Sequence, residues 1–173
     1  MNSKFSKTGT DKPIRYHWSF IVGPKVESEQ AQGARFHAKN EMTMVDGSYR
    51  SVWKYESKTT SLLSTDVLLI RILIGKVINM DRLVAAFERT PVRGDEPGYE
   101  HWNCVEWIKE ALAVIEKEEN ILGTSAINWN SVRNAAMWYI EKKKGEHRFD
   151  GQRESEEVRV PTWSLLEKRE LIS

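Results

Sequence analysis

Between Glu100 and Lys117, apolar side chains recur at Cys104, Trp107, Ile108, Ala111, Leu112 and Ile115, with Glu106, Lys109, Glu110 and Lys117 between them. A 3.6-residue period of this kind specifies an amphipathic helix with one face committed to a core. The helix is expected to run to about Glu119 and opens on the chain's only cysteine, directly after Asn103. Asparagine caps helix N-termini by accepting a backbone N–H that has no partner. The period turns the Cys104 thiol inward. The partial positive charge of a helix N-terminus favours thiolate over thiol, so a pKa below the free value of about 8.5 is expected. Free cysteine also serves simply as core filler. The histidines bear on which reading applies.

Composition narrows the field. A chain of 173 residues is long enough for one domain with one core. The net charge of +1, from 26 basic and 25 acidic residues, implies neither nucleic acid nor an anionic membrane as partner. One cysteine allows no internal disulfide framework, and Met1 to Lys12 contains no apolar signal core, so a cytoplasmic setting is expected. The longest apolar run, Val67 to Ile74, is strand-sized and carries Arg71, so no membrane span is expected. Seven tryptophans suit a Trp-rich core and an aromatic-lined pocket equally well.

Met1 to Lys12 reads as a loosely attached arm, with a single domain over 13–173 whose C-terminal tail begins at about 150. Ile14 to Val22 is a β-rich run stopped by Gly23-Pro24; its period of two sets His17, Ser19 and Ile21 on one face and Trp18, Phe20 and Val22 on the other. Gly33 to Asn40 is expected to pair back on it, which would set His37 beside His17. Asp46-Gly47 is a hairpin signal, and Ser51 to Glu56 alternates as the next strand. Val67 to Ile74 reads as a buried strand, Asn79 to Phe87 as a short helix stopped at Pro91, and Arg93 to Tyr99 as a loop delivering the chain to Cys104. Asn128 opens a further helix with Val132, Ala135, Ala136, Tyr139 and Ile140 inward. It ends on Lys142-Lys143-Lys144, read as a solvated run complementing the helix dipole. Pro161 to Leu166 is expected to dock apolar residues from the tail.

A cysteine nucleophile needs a base within hydrogen-bond reach, and the base needs an orienting group. His17, His37 and Cys104 supply one of each, although three such residues need not meet. His101 and His147 read as surface residues. One cysteine with scattered histidines is a poor zinc-ligand set, and there is no phosphate-binding glycine motif or dinucleotide fingerprint. Neither a metal nor a cofactor is therefore expected.

The islands Tyr16-His17-Trp18-Ser19-Phe20-Ile21-Val22-Gly23, Phe36-His37 and Asn103-Cys104-Val105-Glu106-Trp107 resemble the circularly permuted papain-like fold of the lecithin:retinol acyltransferase-like branch of NlpC-type enzymes. The permuted deubiquitinating and desumoylating peptidases likewise share an early His and a late Asn-Cys helix. The resemblance covers roughly residues 14–116. It implies an α+β fold, with an antiparallel sheet and packed helices in the permuted papain-like arrangement. It also implies Cys104 as nucleophile, His17 as general base and acid, His37 as orienting group, and the Cys104 backbone N–H as part of an oxyanion hole. The chain departs from the acyltransferase branch in its longer His17–His37 connection, in Val-Glu-Trp after the cysteine where that branch has Glu-His-Phe, and in showing no membrane-anchoring C-terminal helix.

The expected function is that of a cysteine-dependent hydrolase or acyltransferase acting through an acyl-thioester on Cys104. Its substrate would be a small-molecule, lipid or peptide acyl compound, with Trp18, Trp53, Trp102, Trp107 and Asn103 lining the substrate site. Two alternatives stand beside it. One is a ligand-binding or cyclase-like protein using a Trp-lined pocket, and the other is an interaction module with a structural cysteine.

Overall fold

The computed structural model describes residues 16–28, 30–63, 68–150 and 159–173. The expected N-terminal arm, Ile14 and Arg15 of the first strand, Val67, and 151–158 of the expected tail lie outside these residues. The fold is α+β. A first antiparallel sheet has the order β1 (Phe20–Val22), β2 (Gln32–Val45), β3 (Ser48–Ser61). Its hairpin turns at Asp46 and Gly47, whose φ values of 49° and 76° suit a two-residue turn that follows the strand twist. Instead of the shorter strands expected on either side, two strands of 14 residues run unbroken from that turn.

The segment read as one buried strand over Val67 to Ile74 is divided. Among its described residues only Arg71–Leu73 forms a strand, β4, and its residues are half-buried; β5 (Gly75–Val77) then joins a different sheet. Two partners divide the run. β5 pairs antiparallel with β6 (Leu122–Ser125), while β4 runs parallel to β7 (Thr162–Ser164), which pairs antiparallel with β8 (Arg169–Ile172). Arg71 sits in this strand because Glu27 accepts from Nη1 and Nη2, at 2.7 and 3.0 Å, and Thr162 Oγ1 accepts from Nε at 3.1 Å. The sheets are thus not wholly antiparallel. Residues 159–173 are also more than a docked tail: they supply two strands, and Val160, Pro161 and Ser164 are fully buried.

The helices are α1 (Met80–Arg89), α2 (Cys104–Glu116) and α3 (Trp129–Gly145). Each begins where an asparagine side chain accepts a first-turn N–H: Asn79 from Arg82, Asn103 from Val105 and Asn128 from Ser131. The buried face of α2 consists of Cys104, Trp107, Ile108, Ala111, Leu112 and Ile115, the stripe expected from the sequence. It packs on the β2 face that carries Phe36 and Ala38, with Trp107 at the centre. The Trp107 ring lies 6.0 Å from Phe20, 5.6 Å from Tyr55 and 5.8 Å from Phe87. Burying each such side chain contributes about 1.5–3 kcal/mol, so this aromatic layer fixes α2, and with it Cys104, against the first sheet.

The lysine run differs from expectation. Val132, Ala136, Tyr139, Ile140 and Lys143 share the inner face of α3, and helical spacing carries that face through the middle lysine. Lys143 is therefore buried and ion-paired to Glu170 and Glu146, while its two neighbours reach solvent. Among the described residues no helix is long and apolar enough to cross a membrane.

Candidate functional site

Cys104 stands at the first turn of α2 with 7% of its surface exposed. Its Sγ donates weakly to the Tyr16 carbonyl oxygen at 3.9 Å and also lies against the Trp18 backbone N–H. The thiol thus touches the main chain on both sides of His17. Burial raises the thiol pKa, and the backbone N–H groups of Trp18, Cys104 and Val105 only partly oppose that shift. The expected lowering by the helix N-terminus is therefore corrected: those N–H groups act in the expected direction, but loss of hydration outweighs them.

His17 lies three residues ahead of β1 and is exposed, and its ring extends to His37, with Nε2 2.5 Å from His37 Nδ1 and the rings edge-on at 4.8 Å. His37 is 3% exposed. Its Nε2 lies 2.9 Å from Glu56 Oε2. Lost hydration of the His17 ring lowers its pKa from 6.5 to about 4, helped by the nearby charges of His37 and Arg35. His37 is also lowered, chiefly by burial, although Glu56 pulls the other way. Both rings are neutral at pH 7. Glu56 is held well below the usual carboxylate range, first by Lys39, then by His37 and Lys58. The contact distances to Lys39 and Lys58 are 2.6 and 3.2 Å.

The expected meeting of His17 and His37 occurs, and Glu56 joins them. Glu56 ends the strand expected over Ser51 to Glu56, and its place opposite His37 follows from the turn. A two-residue Asp46-Gly47 turn pairs Val45 with Ser48; eight residues back along β2 is His37, and eight forward along β3 is Glu56.

The loop ahead of Cys104 is clamped from several directions. Asp95 Oδ2 accepts the Trp53 backbone N–H at 2.9 Å, and Gly94 sits so close that an added Cβ would lie 2.0 Å from Trp53 Cδ1. Glu110, one helix turn and a half along α2, accepts from Trp102 Nε1 at 3.0 Å and from Arg93 Nε at 3.2 Å.

The residues expected to line a substrate site hold different positions. Trp107 is wholly enclosed and offers a ligand no surface, and Trp102 is buried. Trp53 is half-buried and stacks edge-on with Trp102 at 5.3 Å; Trp18 pairs with Trp129 at 5.8 Å. Asn103 is occupied as the α2 cap, its Oδ1 2.8 Å from the Val105 N–H and its Nδ2 donating to the His101 carbonyl. His101 and His147 are exposed. Among the described residues, no group of three His, Cys, Asp or Glu side chains is placed to hold a metal ion.

The thiol at the start of α2 meets the main chain on both sides of His17, while the His17 ring itself bonds to His37 and its chain of hydrogen bonds ends on an ionised carboxylate; a thiol and an imidazole are the groups that nucleophilic and proton-transfer chemistry uses. No curated protein and no solved structure matches this chain. Over residues 3–172 it matches a family described as of unknown function, DUF6914, and the chain belongs to that family.

Proposed function

We propose that the protein is a thiol hydrolase or acyltransferase in which Cys104 carries the acyl group and His17 moves the proton, on a permuted papain-like scaffold. The observation that carries this reading is the contact of Cys104 Sγ with the backbone on both sides of a histidine that is itself anchored through His37 to Glu56. The raised thiol pKa and lowered imidazole pKa favour a resting neutral pair over a thiolate–imidazolium pair. His17 then acts as a general base during attack. The S–H proton passes to His17 as sulfur bonds to the acyl carbon. The leaving group departs with that proton, and water or another acceptor reverses the steps to free the thiol. The N–H groups at the start of α2 would receive the developing oxyanion.

Burial of the thiol favours a second reading, a core cysteine beside a structural histidine pair. Incubation with p-nitrophenyl acetate, followed by intact mass, separates the two. The thiol-enzyme reading expects one acetyl adduct on Cys104, none in Cys104→Ala, and acylation slowed by about 10²–10⁴-fold in His17→Ala. The wild-type rate should rise as pH passes about 4 and then stay level through neutrality, because His17 must be unprotonated. Equal p-nitrophenol release from wild type and Cys104→Ala would refute acyl transfer through this thiol.

A further inference from the structure

We propose that Glu56 is a positioning residue which, through His37, sets the tautomers of both histidines and leaves Nδ1 of His17 as the proton acceptor. The functional consequence rests on the thiol-enzyme reading; the tautomers do not.

Glu56 is ionised and surrounded by donors: Lys39 on Oε1, and Lys58 and His37 on Oε2, with Arg35 Nη2 3.8 Å away. An ionised carboxylate can only accept, so the proton between it and His37 belongs to His37 Nε2. Were His37 protonated at Nδ1 instead, its Nε2 lone pair would face a carboxylate oxygen at 2.9 Å, two acceptors in hydrogen-bond contact. With Nε2 protonated, the neutral His37 ring has a bare Nδ1. That nitrogen must accept from His17, so His17 donates from Nε2 and keeps a bare Nδ1 of its own.

Nδ1 is also the ring nitrogen on the backbone side, bonded directly to Cγ, whereas Nε2 is the far end that reaches His37. The thiol lies against the backbone that flanks His17. One carboxylate two rings away thereby leaves the His17 lone pair on Nδ1, the nitrogen next to the backbone that Sγ touches on both sides of this residue. When the Cys104 S–H bond breaks and a proton is gained at Nδ1, His17 keeps its Nε2 proton and its bond to His37. The new positive charge then faces a chain that ends on a carboxylate. The hairpin supplies this device through strand register, since His37 and Glu56 are directly opposed.

The test uses the full chain, uniformly ¹⁵N-labelled, at neutral pH. Long-range ¹H–¹⁵N correlation of the ring nitrogens should show both His17 and His37 protonated at Nε2 alone. Glu56→Ala should mix the tautomers, shift the His37 titration to lower pH, and slow Cys104 acylation by about 10–100-fold, as loss of an outer partner of a functional histidine does. Glu56→Gln keeps an acceptor oxygen between the His37 and Lys58 donors, and should keep the tautomers even if Glu56→Ala does not fold. His37 protonated at Nδ1 in the wild type overturns the proposal, as do tautomers unchanged in Glu56→Ala. If the tautomers are as stated but Cys104 takes no acyl group, the enzyme reading fails and the positioning role stands. If Cys104 is acylated but the tautomers differ, only the positioning role fails.

Discussion

Changing Lys143 to methionine removes a charge and leaves the aliphatic packing nearly intact, which makes it a clean probe of how α3 holds the C-terminal strands. The side chain is 1% exposed, with Nζ 2.5 Å from Glu170 Oε1 and 2.8 Å from Glu146 Oε2. The Tyr139 hydroxyl also donates to Glu170 at 2.6 Å. Stripping one partner from a buried ion pair costs about 3–5 kcal/mol, because the remaining charge stays desolvated. Here the carboxylates are 24% and 32% exposed, and Lys142 lies 3.5 and 3.3 Å from them, so part of that penalty is relieved. We expect Lys143→Met to cost about 2–3 kcal/mol, which for a chain of this length lowers Tm by about 4–12 °C. Lys142→Met and Lys144→Met remove half-exposed pairs and should each cost no more than about 1 kcal/mol. Thermal and urea unfolding followed by circular dichroism measure all three. Adding Glu170→Gln to Lys143→Met should restore part of the loss. Three single variants within about 0.5 kcal/mol of one another would refute the buried pair, since a solvated lysine run predicts equality.

Acid should weaken the fold from an unusually high pH. His17 titrates at about 4 when folded against 6.5 when unfolded, so its contribution is complete above about 6.5 and is lost as pH falls toward 4. Glu56, Glu146 and Glu170 are held below the ordinary carboxylate value, so their contribution is present above about 4.5 and is lost at still lower pH. For Glu170, burial acts to raise the pKa, but the bonds from Lys143 and Tyr139 outweigh it. The urea midpoint should fall between about pH 6.5 and 4, and His17→Gln should flatten that portion; a wild-type midpoint unchanged from pH 7 to about pH 5 would contradict the shift. Gly94→Ala places a Cβ 2.0 Å from the Trp53 ring and should cost about 1–3 kcal/mol with a change in tryptophan fluorescence. Gly145→Ala, with nothing within 4 Å of the added Cβ, should stay within about 0.5 kcal/mol of wild type.

Local rules made the helix stripe of α2 legible, because one helical period decides which of its side chains face inward. The asparagine caps follow from the same kind of rule, since a cap bonds within its own first turn. The inward set of the first segment was legible too, since Trp18, Phe20 and Val22 do pack toward the core, although among its described residues only Phe20–Val22 forms the strand. The limits of β4 were not, because whether Arg71 and its neighbours extend as a strand depends on β7, about ninety residues further along, as a parallel partner. The four tryptophans could not be sorted by sequence, since core and pocket demand the same residue type and differ only in what packs on the outer side.

Local sequence pattern was enough for the helix that carries Cys104 and for a hairpin whose turn sets His37 opposite Glu56. These depend on helical period and on counting from a two-residue turn, both of which act between near neighbours in the chain. Tertiary structure alone decided the ionisation of the thiol, since burial and the N–H groups of α2 push Cys104 in opposite directions and only packing shows which prevails. It also decided that one lysine of three is buried, because the identity of the opposing surface, here β8 and Glu170, is set by chain folding and not by the helix.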